Sequence, residues 1–372
     1  LGGLRQQLGV ERYYLVPSVF WLNASDLALH VVCALGVILA VCVTVGLAPT
    51  LALVLLWLLY LSLFSIGRDF LSFQWDTFLL EVGLLAILFA PWNILPNLVR
   101  ETVVSPLALL LLWWLLFRFM FESGVVKLTS GDPTWRNLTA LDYHYWTQPL
   151  PTWTAWYISH FSGWFHKASV LFTYVAEIGL PFLILSGRTG RLVACAGMVV
   201  LQLFIGLTGN YNFFNLLSIA LCFTLLDDKT WLAILPQSFS SSFTTNYQLQ
   251  TTHLLFTPVV ATFAVLSLII GSWQLWESVK PRARPPAIIA TIMELIAPFR
   301  SLNDYGLFRV MTTSRPEIVV EGSNDGKEWE EYKFRWKPGD TKARPRFAEP
   351  HQPRLDWQMW FAALSSFQRT QW

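Results

Sequence analysis

The sequence predicts an all-α polytopic membrane protein with about eight transmembrane helices and a β-rich domain at its C-terminal end. The chain has 372 residues, of which 54% are hydrophobic and 13% are charged. Its apolar residues fall in runs close to the ~20 residues that span a bilayer. Charge is segregated as well, because 27 of the 50 acidic and basic side chains follow Leu275. We therefore expect a membrane-embedded body and a polar tail.

Eight apolar runs are candidates for transmembrane helices, four on each side of a central polar segment. They lie at about 28–47, 49–65, 77–95, 102–122, 168–186, 192–208, 213–227 and 253–274. The predicted domains are an N-terminal segment (1–27), four helices (28–122), a large loop (123–167), four helices (168–274) and a tail (275–372). Cysteines occur only inside apolar runs, where they resemble small core hydrophobes. The chain starts without methionine and ends abruptly, so we expect a piece of a longer protein.

Charge in the turns predicts which side of the membrane each segment occupies. Arginines in the turns at Arg100 and at 188–191 favour the cytoplasm. With eight spans, the N-terminal segment, the central loop and the tail then lie on the opposite, luminal side. Both N-x-Ser/Thr glycosylation sequons, at Asn23 and Asn137, fall on that side. Asn137 is the better acceptor, because Asn23 lies very near the membrane.

The central loop, residues 123–167, is predicted to be the working surface. Loops of this length between helices are usually functional or disordered, and abundant aromatic residues argue against disorder. We expect Asp132, in a Gly-Asp-Pro turn, to end the preceding helix and cap the next amides. The aromatic residues fit either a membrane-interface belt or a protein-binding face. Candidates for such a face are Asp132, Trp135, Tyr143, His144, Tyr145 and Trp153.

Three ionisable residues, Glu81, Arg118 and Glu177, lie inside the predicted spans, and Glu122 lies at the end of one. Glu81 and Arg118 each lie about one turn from the luminal end of adjacent antiparallel helices, so we expect them to pair. Glu122 follows Arg118 at i+4 and shares its helix face. The pair fits a structural clamp or a functional group. Glu177 lies ~14 Å into its span, where charge is costly; it fits either a hydrogen-bonded or protonated structural group or part of a polar cavity.

Several function classes lack their motifs in this sequence. The loop histidines at 144, 160 and 166 do not have zinc-ligand spacing. No Gly-x-Ser-x-Gly elbow, phosphate-binding loop, dinucleotide fingerprint or Cys-x-x-Cys pair occurs. Outside the mixed-charge tail there is no basic stripe suited to nucleic acid. We therefore expect no metal, no cofactor and no nucleic-acid partner.

The tail carries short local patterns. An Asn-Asp-Gly turn at 324–326 separates an apolar run from alternating aromatic and charged residues, which predicts a β-hairpin. The segments 288–299 and 355–364 are amphipathic. The second of these fits a helix on the membrane surface or on the rest of the fold.

Long stretches of the sequence resemble the lipase maturation factors. They are 117–135 (Phe-Arg-Phe-Met-Phe-Glu-Ser-Gly-Val-Val-Lys-Leu-Thr-Ser-Gly-Asp-Pro-Thr-Trp), 137–145, 148–153, 301–309 and 353–364. The resemblance covers most of the chain from about Gln74 onward. It implies a multi-pass membrane protein of the endoplasmic reticulum that helps secreted dimeric lipases fold and assemble, without catalysis. Client lipases would engage the central loop, and membrane lipid would surround the spans.

Two other function classes remain open from the residues alone. One is a membrane-embedded enzyme that uses Glu81, Arg118, Lys127 and Glu177 around a luminal cavity. The other is a transporter, supported by short polar turns and the mid-span Glu177. An enzyme requires titratable groups that converge in a pocket, and a transporter requires helices broken at mid-membrane. A folding factor requires an exposed apolar or aromatic face.

Overall fold

The computed structural model describes residues 2–67, 70–95, 105–234, 252–340 and 342–364, with the backbone alone for 252–257. The chain divides into two compact units. The first unit comprises residues 1–122 and 224–305, and the second unit comprises 123–223 and 306–372. The turn that contains Arg100 lies outside the described residues, as does the end of the tail after Leu364.

Helices account for most of the regular structure. In chain order they are α1 (Gly2–Leu8), α2 (Arg12–Leu15), α3 (Asp26–Thr44), α4 (Pro49–Gly67), α5 (Gln74–Phe89), α6 (Pro106–Thr129), α7 (Pro133–Arg136), α8 (Ala140–Thr147), α9 (Trp153–Ser159), α10 (Gly163–Tyr174), α11 (Arg188–Thr208), α12 (Phe214–Phe223), α13 (Asp228–Ile234), α14 (Thr252–Val279), α15 (Ala287–Ile296) and α16 (Arg354–Ala363). After α10 the chain continues as a π-helix over Val175–Gly179 and a 3₁₀-helix over Leu180–Leu185.

Six helical segments of the described part are long and apolar enough to cross a membrane. They are Asp26–Thr44, Pro49–Gly67, Pro106–Thr129, Gly163–Leu185, Arg188–Thr208 and Pro258–Val279. The other two expected spans are shorter than the sequence suggests. Helix α5 has 16 residues and ends before Ala90, which precedes a proline and is extended, with ψ of 148°. Helix α12 has 10 residues and begins just after Asn212, whose φ is +57°.

In the first unit, α4 packs against both α3 and α5. Hydrogen bonds between polar groups fix the register of α4 against α5. The Tyr60 hydroxyl donates to Asp76 at 2.6 Å, and the Trp57 indole donates to the Leu80 carbonyl at 2.9 Å. Asp76 also accepts the Phe73 amide at 3.0 Å, which satisfies a free amide at the start of α5. One buried carboxylate thus both begins a helix and joins it to its neighbour.

In the second unit, the predicted central loop is largely helical. Helix α6 runs through Thr129, so the first residues expected in the loop continue that helix. Short helices α7, α8 and α9 follow, and α10 begins at Gly163. The chain leaves α6 through Gly131, whose φ of +83° suits glycine. Asp132 then caps α7 by accepting the Thr134 amide at 2.8 Å, as the Gly-Asp-Pro turn predicts.

Residues after Gly306 supply part of the second unit's core. Trp135, Ala140, Val170 and Met311 form a buried cluster. Asp132 accepts the Met311 amide at 2.6 Å through its second carboxylate oxygen. Further along, Arg315 donates to the carbonyls of Trp146 and Pro149, each at 3.0 Å, which close the turn between α8 and α9. The tail is therefore an integral part of this unit.

The described tail contains little β-structure. Two strands of two residues each, β1 (Glu321–Gly322) and β2 (Glu330–Glu331), pair antiparallel around the expected turn. The hairpin is present in this short form, but a β-rich domain is not confirmed. Prolines are frequent here and cannot donate to a strand ladder. Side-chain acceptors replace the ladder: Asp356 accepts the amides of Trp336 at 2.6 Å and Lys337 at 2.8 Å.

Changing Asp132 to alanine should destabilise the second unit. The substitution removes the cap of α7 and leaves the buried Met311 amide without its acceptor, at a cost of ~1–3 kcal/mol in the free energy of unfolding. Thermal unfolding of the purified protein in detergent measures this. Asp325→Ala is the matched control, since that carboxylate accepts two amides in an exposed turn. Equal shifts in Tm for both variants would contradict the role assigned to Asp132.

Candidate functional site

Glu81 and Arg118 form a buried ion pair in the first unit. The Arg118 Nη2 atom donates to Glu81 Oε1 at 2.9 Å, and both side chains are almost fully enclosed. Helix α5 supplies the carboxylate and α6 the guanidinium. The structure thus places together the two charges that the sequence predicts to pair. Their burial means that either one without the other would be strongly destabilising.

Residues just after α15 complete this charge cluster. Asn303 donates to Glu81 Oε2 from its backbone amide at 2.8 Å and its side-chain amide at 3.0 Å. The Tyr305 hydroxyl donates to the same oxygen at 2.8 Å. Arg118 in turn donates to the Asn303 carbonyl at 3.0 Å and to Gln274 at 3.3 Å. The Glu81 carboxylate therefore accepts enough hydrogen bonds to be stabilised as an anion.

Sequence reasoning did not assign Asn303 or Tyr305 to this cluster. The available indication was the Ser-Leu-Asn-Asp-Tyr-Gly stretch at 301–306, which carries part of the family resemblance. Burial raises the pKa of Tyr305 well above its usual value, and the Glu81 carboxylate adds to this effect. Tyr305 therefore stays a hydroxyl donor. Phe78 and Phe119 pack edge-on against its ring, with centroids 5.5 Å away in both cases.

Glu122 adds a second carboxylate to the cluster. Its Oε2 atom accepts the Tyr305 amide at 2.9 Å. Its Oε1 atom is buried and has no hydrogen-bond partner among the residues that the structure describes. Two carboxylates thus lie near one guanidinium, and Glu81 accepts most of the hydrogen bonds in the cluster. The arrangement suits a Glu122 side chain that serves as a hydrogen-bond acceptor, which an amide can also do.

A second buried ion pair lies in the second unit. Lys127 Nζ, in the last turn of α6, contacts the two Glu177 carboxylate oxygens at 2.7 and 3.0 Å. It also donates to the Ser123 carbonyl at 2.9 Å and lies 5.4 Å from the Trp135 ring centroid. Glu177 belongs to the π-helix. Of its two interpretations, the structure matches a hydrogen-bonded structural group, because this carboxylate is buried and ion-paired.

The predicted aromatic face requires a correction. Trp135 and Tyr145 are only 2% and 6% exposed, so the expectation that they face the lumen is wrong. Trp135 donates its indole N–H to the Phe308 carbonyl at 2.8 Å, and Tyr143 packs against the same core cluster. Burial raises the pKa of Tyr145 to about 12. These aromatic side chains are covered by chain segments that are distant in sequence.

His144 also belongs to the interior of this unit. The Tyr211 hydroxyl lies 3.1 Å from His144 Nε2 and 3.1 Å from Gln148 Oε1. Burial lowers the pKa of His144 to about 4, with a further contribution from the charge on Lys127. The imidazole is therefore neutral at physiological pH. His166 instead contacts Asp142 at 2.7 Å. Within the described ranges, no group of three or more metal-ligating acid, histidine or cysteine side chains occurs.

A different set of aromatic side chains is exposed in this segment. It consists of Trp146, Trp153, Tyr157, Phe161 and Trp164, with exposed fractions between 37% and 72%, and we call it the aromatic surface. Of the six residues put forward as candidates for the client-binding face, only Trp153 belongs to it. The sequence did contain an indication, since Trp153 and Tyr157 are spaced i, i+4 and share a face of α9.

These features define the class of protein. The chain is a multi-pass membrane protein with two buried ion pairs, Glu81–Arg118 and Lys127–Glu177, and with a helical central segment. Residues 4–233 match the family described as lipase maturation factor transmembrane domain. Residues 301–372 match the lipase maturation factor C-terminal domain. The chain belongs to the lipase maturation factor family.

Named relatives support this assignment over most of the chain. Lipase maturation factor 2 of Gallus gallus is 35% identical, covering 96% of this chain and 64% of its own length. The Homo sapiens protein of that name is 36% identical, over 86% and 59% respectively. Lipase maturation factor 1 of Homo sapiens is 32% identical, over 97% and 66%. The chain thus spans about two thirds or less of these relatives. No solved structure matches it.

Replacing Glu81 alone should destabilise the first unit more than replacing both members of the ion pair. Glu81→Leu leaves a buried guanidinium uncompensated, at ~3–5 kcal/mol by analogy with soluble proteins. In the double variant with Arg118→Leu, the loss of folded protein should be smaller than the sum of the single losses. Folded yield measured by fluorescence-detected size exclusion tests this. Additive losses would show that the two side chains are not coupled.

Glu122→Gln provides the matched control for that experiment. The amide retains an acceptor for the Tyr305 backbone N–H and replaces the unpartnered carboxylate oxygen with a neutral NH2 group of similar size. We therefore expect its folded yield to stay near that of the unaltered protein.

Proposed function

We propose that this chain is a non-enzymatic folding and assembly factor of the endoplasmic-reticulum membrane whose clients are secreted dimeric lipases. The family membership supports the link to lipase maturation. The observation that carries the proposal is the aromatic surface, which exposes large apolar side chains on the helices of the second unit. A folding factor requires such a surface in order to capture clients whose own apolar groups are still exposed.

The aromatic surface replaces the face first predicted from the sequence. Tryptophan and tyrosine provide a large contact area at low cost in side-chain entropy, and they dominate many protein interfaces. Trp153 and Tyr157 on α9 pack edge to face, with ring centroids 6.1 Å apart. Trp164 is the most exposed of the set at 72%. We assign client capture to these residues, and a structural role to Asp132, Trp135, Tyr143, His144 and Tyr145.

The enzyme hypothesis receives less support from the charge clusters. It requires Glu81, Arg118, Lys127 and Glu177 to present reactive groups to a substrate. Each of the four is buried and engaged in an ion pair. Arg118 and Glu81 are further held by Asn303. Such groups position helices, whereas catalytic groups must reach a substrate in a pocket.

The transporter hypothesis gains one observation, the change in helix type near Glu177. The span that begins at Gly163 passes from α-helix to π-helix and then to 3₁₀-helix. Broken helices in transporters direct free backbone groups at a substrate. Here Glu177, the charged residue at the change in helix type, is instead ion-paired with Lys127. We therefore keep transport as the second candidate.

Contacts within each unit support a common side of the membrane for the central loop and the tail, and eight crossings. In the second unit, the Trp135 indole donates to the Phe308 carbonyl, and the described part of the chain between these residues contains three full-length spans. Three crossings would place Trp135 and Phe308 on opposite sides of the membrane. Because the two residues are in contact, a fourth crossing is needed between them, and we assign it to α12 and its neighbours. In the first unit, Tyr14 packs against Phe299 with ring centroids 5.7 Å apart. The six long spans and α12 make seven crossings between Tyr14 and Phe299, so an eighth is needed to bring these residues to the same side. We assign it to α5.

Glycosylation and protease protection test this topology. Asn137 is exposed at the end of α7, so it should carry an N-glycan, and Asn137→Gln should remove the corresponding shift in gel mobility. The tail after Trp276 should resist protease in sealed microsomes and be cleaved once detergent is added. Digestion without detergent would refute the luminal assignment. Asn23, close to the start of α3, should be modified weakly.

Substitutions in the aromatic surface test the function. In cells that lack every paralogue, Trp153→Ala combined with Trp164→Ala should reduce secreted activity of a dimeric lipase while its synthesis stays normal. Loss of a central aromatic anchor typically costs ~2 kcal/mol of binding, roughly thirtyfold in affinity. Abundance and glycosylation of the variant should be unchanged, because both residues are exposed.

Two further variants make this experiment decisive. Trp329→Ala alters a tryptophan that is 60% exposed in the tail hairpin and should leave lipase secretion normal. Trp135→Ala should instead lower the abundance of the chain itself, because it removes a core side chain. Normal secretion with the Trp153 and Trp164 double variant would mean that the aromatic surface is only a membrane-interface belt.

A further inference from the structure

An open pocket in the second unit joins the aromatic surface to the tail. Its volume is about 540 Å³, and it is lined by Trp153, Arg344, Pro345, Arg346 and Phe347. We call it the arginine pocket. Trp153 provides one wall from α9. The other lining residues come from a single irregular stretch of the tail, in which Arg344 and Arg346 flank a proline.

The arginine pocket contains positive charge without a compensating acid. Arg344 lies with its guanidinium carbon 5.7 Å from the Trp153 ring centroid and donates a long hydrogen bond of 3.5 Å to the Tyr157 hydroxyl. Neither contact neutralises its charge. For Arg346, the described part of the chain provides no hydrogen bond and no ion pair. Among the residues that the structure describes, no acidic side chain lines the pocket.

This combination of groups is suited to one kind of ligand. A guanidinium presents a planar fork of donors that matches a carboxylate, and it remains charged at every physiological pH. Two such groups in one pocket repel each other until an anion binds between them. The walls formed by Trp153 and Phe347 are aromatic, and Phe347 is 66% exposed. The pocket is also much larger than a single anionic group requires.

We propose that the arginine pocket binds an acidic segment of the client polypeptide, with a carboxylate at Arg344 and Arg346 and a neighbouring apolar side chain on Trp153 and Phe347. The inference rests on the proposed function and further specifies that the recognised client segment is acidic. A protein ligand is favoured over lipid because the pocket shares Trp153 with the aromatic surface. Its size also accommodates several side chains of one segment.

A binding measurement on the whole chain tests this proposal. The probe is a fluorescein-labelled octapeptide of alternating glutamate and phenylalanine, and anisotropy reports its binding to the protein in phosphatidylcholine nanodiscs. Replacing Arg344 and Arg346 together by glutamine should weaken binding about tenfold or more, since hydrogen bonds to charged groups are among the stronger ones. A peptide with glutamine in place of glutamate should bind as weakly to the unaltered protein.

The matched control removes the same charge elsewhere. Arg136→Gln with Arg309→Gln alters two exposed arginines of the second unit that lie outside the pocket lining, and it should leave binding of the acidic peptide unchanged. Equal weakening by both double variants would overturn the proposal, as would equal affinity for the glutamate and glutamine peptides.

A further experiment with anionic lipid distinguishes a peptide ligand from a lipid headgroup. If adding phosphatidylserine to the nanodiscs displaces the acidic peptide from the unaltered protein, the pocket is a lipid headgroup site and the proposal fails. The peptide assay contains no lipase. A chain that fails to support lipase secretion but still binds the peptide would therefore refute the proposed function and leave the pocket intact.

Discussion

The Glu81 carboxylate is the polar centre on which the first unit depends. A charge enclosed in this way is stable only if nearby donors replace the water that it has lost. Arg118 supplies one donor from the adjacent helix, and Asn303 and Tyr305 supply others. Because these residues come from segments far apart in sequence, a single buried anion fixes two helices and the start of the tail together. Apolar packing alone gives helices far less preference for one rotation over another.

The second unit uses a carboxylate in a similar way. Asp132 accepts one amide from its own helix and one from Met311. Burial raises the pKa of this carboxyl, but the Met311 and Thr134 amides outweigh that effect and lower it overall. The acid therefore remains ionised at neutral pH, and its stabilising contribution is lost only as pH falls through the lowered pKa. Both units thus attach irregular tail segments to helices through backbone amides bonded to carboxylates.

The sequence predicted those features that depend on local pattern. Apolar runs located the six long helices of the described part, the Gly-Asp-Pro turn located the end of α6, and equal depth along adjacent helices predicted the pairing of Glu81 with Arg118. It failed where the result depends on distant segments. Trp135 resembles an exposed loop aromatic until residues around Phe308 cover it. The expected β-content is not confirmed in the described tail for a related reason, since its proline-rich segments are held by side-chain acceptors that no period-2 pattern reveals.

The π-helix at 175–179 has a consequence for how the sequence can change. A π-turn contains one residue more than an α-turn, so it shifts every later residue of the span by about 100° around the axis. Glu177 contacts Lys127 from within this turn, and Gly124 leaves the space that residues 177 and 178 occupy. A one-residue deletion here would remove the extra residue of the π-turn and redirect the face formed by 180–185. The spacing of this segment is therefore as constrained as the identity of its residues.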